Sequence, residues 1–252
     1  MIKSKTHKNK AIHKTHKNKH KNKKNVKSKY THKHKIETNN LIKVFTEVYE
    51  TNKWGDNDNP NYEGSSGSGS SIAYNEKTYI PFMKKFFKQY NIKSVVDLGC
   101  GDFRIGLLLY DKTNIDYTGY DAYKGVIDYN NDKFKEHKNF NFIHSDFTSV
   151  QDRKNIHNAD LCIIKDVLQH LSNSTVIKFL DYITKSNKFK YILLINSCIS
   201  RDYIQDIKPG AFRPLSALYY PLTKYNAKII YKWNITLDNN NFDRKEISMI
   251  TL

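Results

Sequence analysis

The stretch Ser94-Val-Val-Asp-Leu-Gly-Cys-Gly-Asp-Phe-Arg-Ile-Gly106 decides how the rest of the chain is read. A short apolar run, Val95, Val96 and Leu98, stops at Gly99-Cys100-Gly101, and a helical pattern of Ile105, Leu107, Leu108 and Leu109 comes next. A strand that turns through glycines into a helix brings bare backbone N–H groups and a helix N-terminus to one point, where a ligand can approach the main chain. Asp97 stands two residues before the first glycine. A dinucleotide fingerprint would read G-x-G-x-x-G, but Arg104 holds the place of its third glycine.

Downstream, apolar runs alternate with helical patterns. Asp116–Asp121 reads as a second strand ending in an acid, with a helix after it over 124–134. Residues 139–147 alternate like a third strand, ending in Asp146 and Phe147. Ala159–Asp166 makes a fourth, 174–186 a helix, and 190–197 a fifth strand. Strands and helices alternating at this spacing indicate an α/β fold with a parallel, doubly wound sheet. The last strands, 228–234 and 247–252, have only an Asn/Asp-rich turn between them, which predicts an antiparallel hairpin at one sheet edge.

Upstream, 76–90 reads as an amphipathic helix with Pro81 near its first turn. Leu41, Val44, Phe45, Val48 and Tyr49 place another helix over 39–52, capped by Asn39 or Asn40. Between the two lie Trp54-Gly55 and the run Glu63-Gly-Ser-Ser-Gly-Ser-Gly-Ser-Ser71. Such a run is a flexible linker or, given the tryptophan beside it, a loop that closes over a ligand.

The net charge of +17 is uneven. Residues 1–36 hold 14 of the 42 basic residues, six histidines and no acid. The remaining 28 basic residues face 25 acids, so residues 37–252 carry only +3. The high charge therefore describes a tail and argues little about the substrate of the folded part. The tail, about 1–38, is read as disordered, because few apolar residues and dense like charge cannot offset the entropy of ordering. It is a solvated extension, an arm that binds a polyanion such as nucleic acid or an anionic membrane, or a His-rich metal tract. The three cysteines lack C-x-x-C spacing and fit reduced thiols in an intracellular protein. No apolar run reaches a membrane span, and the basic N-terminus has no apolar region of a secretory signal behind it. A soluble, cytoplasmic protein is expected.

In an open α/β sheet the ligand lies beyond the C-terminal strand ends. Here those ends are Gly99–Gly101, Asp121, Asp146 and Lys165-Asp166. Asp121, about 20 residues past the glycines, is placed to accept two ribose hydroxyls, as in sites for either NAD or S-adenosylmethionine. Asp146 with Phe147 after it suits an adenine amino group and ring face. Each acid alone could instead cap a helix. After the fourth strand, Asp166 and His170 are four residues apart, as on one helical face, and a neutral His is a candidate general base near pH 7.

On these residues the chain resembles the class I S-adenosylmethionine-dependent methyltransferases over 76–252. More narrowly, it is similar to a group marked by Trp54-Gly55 with Ser66–Ser70, Asp97-Leu-Gly-Cys-Gly-Asp102, Lys165-Asp-Val-Leu-Gln-His-Leu171 and Gly210-Ala-Phe-Arg-Pro-Leu215. The resemblance implies a seven-stranded sheet and S-adenosylmethionine as cofactor. It implies cofactor contacts from Asp97, Gly99, Cys100, Gly101, Asp121, Ala122, Asp146, Phe147 and Lys165. Residues 39–75 would form an N-terminal helix and covering loop, with Trp54, Ser68, Gly69 and Ser70 at the lid. Asp166 and His170 would be catalytic, and Arg213 would hold an anionic substrate group or tie the last loop to the body. Lys165 stands where the group usually has Arg, so a bidentate contact would be lost. No metal is implied. The expected activity is methyl transfer to O or N of a small acceptor, a sugar, glycan precursor or metabolite. Nucleic acid or protein docked by the tail is the alternative acceptor, and a binding module without activity the alternative of another class.

Overall fold

The computed structural model describes residues 41–56, 64–198, 205–236 and 242–252. The N-terminal tail, the Asn39/Asn40 cap and most of the turn between the last two strands lie outside them. Strands β1 (Ser94–Leu98), β2 (Asp116–Asp121), β3 (Phe140–His144), β4 (Leu161–Lys165), β5 (Tyr191–Ser197), β6 (Lys228–Thr236) and β7 (Phe242–Thr251) form one sheet in the order β3-β2-β1-β4-β5-β7-β6. The first five run parallel, while β7 lies antiparallel between β5 and β6. The terminal hairpin is therefore inserted with its second strand inward.

Helices α1 (Leu41–Glu50), α2 (Ile72–Asn75), α3 (Tyr79–Gln89), α4 (Gly106–Tyr110), α5 (Lys124–Lys133) and α6 (Asn173–Ile183) supply the covering layers. Strand alternation divides the core. Val95, Leu161, Ile163, Leu193 and Ile195 pack with Met83, Phe86 and Phe87 of α3 on one face. Val96, Leu98, Cys162, Ile164 and Leu194 pack with Val176, Phe179 and Leu180 of α6 on the other. Strands buried on both faces read as near-continuous apolar runs, which makes them visible in the sequence. Among the described residues, no helix is long and apolar enough to cross a membrane.

Candidate active site

Beyond the C-terminal ends of the parallel strands lies a cavity with about 1040 Å³ of empty space, mouth included. Asp97, Gly99, Cys100 and Gly101 line it from β1 and its turn, Asp121 and Ala122 from β2, and Asp146 and Phe147 from the segment after β3. Lys165, Asp166 and His170 line it from the end of β4 and the turn beyond that end, and Trp54 and Ser70 from the N-terminal segment. Ser68, Gly69 and Arg213 are not in the lining.

The glycine turn is fixed by main-chain bonds. The N–H groups of Gly99 and Cys100 both donate to the Tyr120 carbonyl, at 2.7 and 3.0 Å. Gly99 has φ 90°, and a Cβ there would sit 2.2 Å from Val167 Cγ2, so conformation and space both demand glycine. Asp121 is tied to the same turn: Gly101 N–H donates to its Oδ2 at 3.0 Å and Tyr123 N–H to its Oδ1 at 2.9 Å. Burial raises the pKa of Asp121, and those backbone donors oppose the rise. Asp121 is thus no helix cap but the link that sets β2's end against β1's.

Asp97 differs. Tyr117 donates its hydroxyl to Oδ2 at 3.0 Å, while Oδ1 is buried and has no partner. Burial pushes its pKa up to about 7, against the Tyr117 hydrogen bond and the Lys165 charge. A buried acceptor without a donor is uncommon and marks a place where a ligand donor would fit. Asp146 accepts from both the N–H and the hydroxyl of Thr148 through Oδ1, at 3.0 and 2.7 Å, which closes a local turn rather than capping a helix.

The helical spacing of Asp166 and His170 is overturned. Asp166 has φ 60°, and only a 3₁₀ turn, Leu168–His170, comes after it. The left-handed residue breaks the helical path, so the pair shares the cavity without sharing a helix face. Asp166 is bracketed by Lys165, at 2.7 Å from Oδ2, and Lys245, on Oδ1. Burial works to raise its pKa, but the two ammonium groups outweigh it and hold Asp166 well below the usual carboxylate range. His170 Nδ1 lies 2.9 Å from the Ala211 carbonyl, an acceptor, so the neutral ring carries its proton there and its lone pair on Nε2. Burial lowers the His170 pKa, partly offset by that hydrogen bond and by Asp166, so the ring is neutral at pH 7. Its ring packs against Trp54 at a tilt of 44°, with ring centroids 4.8 Å apart.

The N-terminal segment folds over the glycine turn. Tyr49 of α1 stacks on Tyr123 at 4.4 Å and bonds Ser66 Oγ at 2.7 Å, and Ser66 Oγ accepts the Asp102 N–H at 2.9 Å. Ser68–Ser70 forms a 3₁₀ turn, and Lys165 donates to the Gly69 carbonyl at 2.7 Å. The Gly/Ser run is therefore seated on the strand ends. Arg213 is only 1% exposed and bonds Asp206 and the Leu171 carbonyl, at 3.0 and 2.8 Å. It ties the late loop to the body and does not reach the cavity. Tyr49, Tyr117 and Lys245 carry no signal in the sequence, where nothing separates them from ordinary core and surface residues.

Comparison with known families settles the membership. A family model described as a methyltransferase domain matches residues 91–229, more than half of the chain. The chain belongs to this methyltransferase family. Among solved structures, N-methyltransferase NodS from Bradyrhizobium japonicum WM9, in complex with S-adenosyl-L-homocysteine, is similar with TM-score 0.55 and 12% identity over 84% of this chain and 98% of that one. The methyltransferase domain of bacterial CtHen1 gives 0.52 and 18%, over 70% of this chain and 99% of that one. TehB from Haemophilus influenzae gives 0.51 and 18%, over 72% and 66%. These likenesses are of fold, and the sheet order with its antiparallel final pair is that of the class I methyltransferases. No curated protein sequence matches the chain.

Proposed function

We propose that the cavity binds S-adenosylmethionine and that the chain transfers a methyl group to oxygen or nitrogen of a small acceptor. The observation that carries this reading is the convergence of the glycine turn with Asp97, Asp121 and Asp146 on one cavity at the strand ends. When bound, this cofactor supplies a methyl group already activated on a sulfonium centre. Asp97, with Oδ1 buried and without a donor, suits the ammonium of its amino-acid end. Asp121, each of whose oxygens keeps a lone pair beyond its backbone bond, suits the ribose hydroxyls. Asp146 and Phe147 suit the adenine edge and face. The N-methyltransferase NodS, crystallised with the demethylated product of this cofactor, supports the assignment through its fold.

The rest of the task for the protein is alignment, exclusion of water and removal of the acceptor's proton. His170 is neutral, lines the cavity and carries its lone pair on Nε2, so it is the base in this reading. Asp166, held ionised between two lysines, is a fixed charge rather than a competing base. The N-terminal segment packs on the turn, and because residues 37–252 carry only +3, a sugar or metabolite hydroxyl or amine is favoured over a large polyanion.

His170→Ala should lower kcat by roughly 10²–10⁴. Its cofactor affinity should stay near that of the wild type. Because burial lowers the His170 pKa, wild-type kcat should hold below pH 6.5 and fall only in more acidic buffer. A kcat falling already near pH 7 would remove His170 from the role. A tritiated-methyl screen against sugar nucleotides, RNA and protein tests the acceptor. Label entering RNA or protein, with none in small molecules, would overturn the small-acceptor reading.

A further inference from the structure

Lys245 lies outside the cavity lining yet reaches its floor. It is 5% exposed, stands on β7 opposite Ser197 of β5, and donates to Ser197 Oγ at 2.9 Å as well as to Asp166. Asp243, 3.5 Å away, balances its charge. On the other side of Asp166, Lys165 Nζ contacts Oδ2 and the Gly69 carbonyl, each at 2.7 Å. The loop backbone rests on this centre: a Cβ on Gly69 would lie 2.8 Å from Asp166 Oδ2 and 3.7 Å from Lys245 Nζ. Asn75 Nδ2 holds the same Gly69 carbonyl from behind at 2.9 Å.

We propose that Lys245 is a positioning residue that locks Asp166 and the Gly69 turn into one unit, so that the Gly/Ser loop stays seated over bound cofactor only while Asp166 is held between both lysines. The proposal rests on the cofactor reading above. Asp166 has two oxygens and a left-handed backbone, and in the structure each lysine holds a different one of them. With Lys245 on Oδ1, Oδ2 is directed at Lys165, and Lys165 is thereby aimed at Gly69. Without Lys245 the carboxylate can swing, and Lys165 leaves the loop carbonyl to track it. Lys245 touches no substrate in this scheme and acts through Asp166.

The test is the rate at which S-adenosylhomocysteine leaves the protein, measured by stopped-flow displacement. Gly69→Ala changes no charge and stands at a position without positive φ, and its Cβ would press on Asp166 Oδ2, so it unseats the loop at the same centre that Lys245 holds. Gly69→Ala and Lys245→Met should each speed release about tenfold. Because both act on one unit, the double variant should release no faster than the faster single one. Lys245→Arg should restore release to near the wild-type rate. Melting temperatures recorded alongside separate this from a merely structural lysine, whose loss would lower stability and leave release unchanged. Rates that multiply in the double variant would overturn the proposal, as would release from Gly69→Ala at the wild-type rate, which decides the matter even if Lys245→Met fails to fold. A wild-type chain that does not bind S-adenosylhomocysteine at all would refute the cofactor reading itself, a distinct result.

Discussion

Asp121→Ala should weaken S-adenosylmethionine binding by about 100-fold or more. Hydrogen bonds to a charged acceptor contribute about 1.5–3 kcal/mol each, and in the proposed site this carboxylate would accept one from each ribose hydroxyl. Two such bonds amount to roughly 3–6 kcal/mol, and each 1.4 kcal/mol is about tenfold in affinity. The substitution also removes the acceptor for Gly101 N–H and Tyr123 N–H. The Gly101 end of the turn would then lose its side-chain tie to β2, adding to the loss, though Gly99 and Cys100 keep theirs to the Tyr120 carbonyl. Titration calorimetry with circular dichroism as a control for folding measures it. Binding by the variant at wild-type strength would end the assignment of Asp121 to the cofactor.

Asp97→Asn should raise stability above neutral pH while harming affinity. The folded protein holds Asp97 at a pKa of about 7, chiefly through burial, against about 3.9 in an unfolded chain. Between those values the native state binds the proton and the unfolded state does not. Stability from this residue is therefore present at low pH, falls as pH rises from about 4 to about 7, and stays reduced above. The loss is about 4 kcal/mol at pH 8, taking 1.36 kcal/mol per unit. Asparagine cannot ionise, but its amide would inherit the unpartnered buried position, which costs about 1–3 kcal/mol. The net gain is about 2 kcal/mol, so the cofactor-free variant should melt roughly 5 °C higher at pH 8 and no higher at pH 4. Equal melting temperatures across that range would show that Asp97 is not ionised at the expense of the fold. The same titration makes cofactor binding weaken below pH 7, as protonation removes the charge that would meet an ammonium.

Much of this architecture is legible in the sequence because its signals are local. Val95 and Val96 sit next to each other in the chain and face opposite core layers, so the strand shows as an unbroken apolar run. The glycines and the strand-end acids Asp121 and Asp146 lie within a few residues of the elements that position them. The Asp166–His170 relation misleads because spacing alone cannot show that Asp166 takes φ 60° and interrupts the helical path. Lys245 is invisible for a different reason. It meets Asp166 across 79 residues of chain, and only the pairing of β7 with β5 brings the two together. Tyr49 reaches the turn across a comparable gap, by stacking on Tyr123.

The inward position of β7 has a consequence for how the catalytic end is completed. Parallel strands arrive at the crevice with their last residues, whereas an antiparallel strand departs from it with its first. Strands β1 to β4 therefore offer the crevice their exits, and β7 offers Asp243 and Lys245 from its opening residues. Every described residue lining the cavity precedes Ser172, yet the charge that steadies Asp166 is made about 70 residues later. During synthesis the cavity wall would be complete while its keystone was still missing. A nascent chain would thus gain the slower release of cofactor only when its final strand docks.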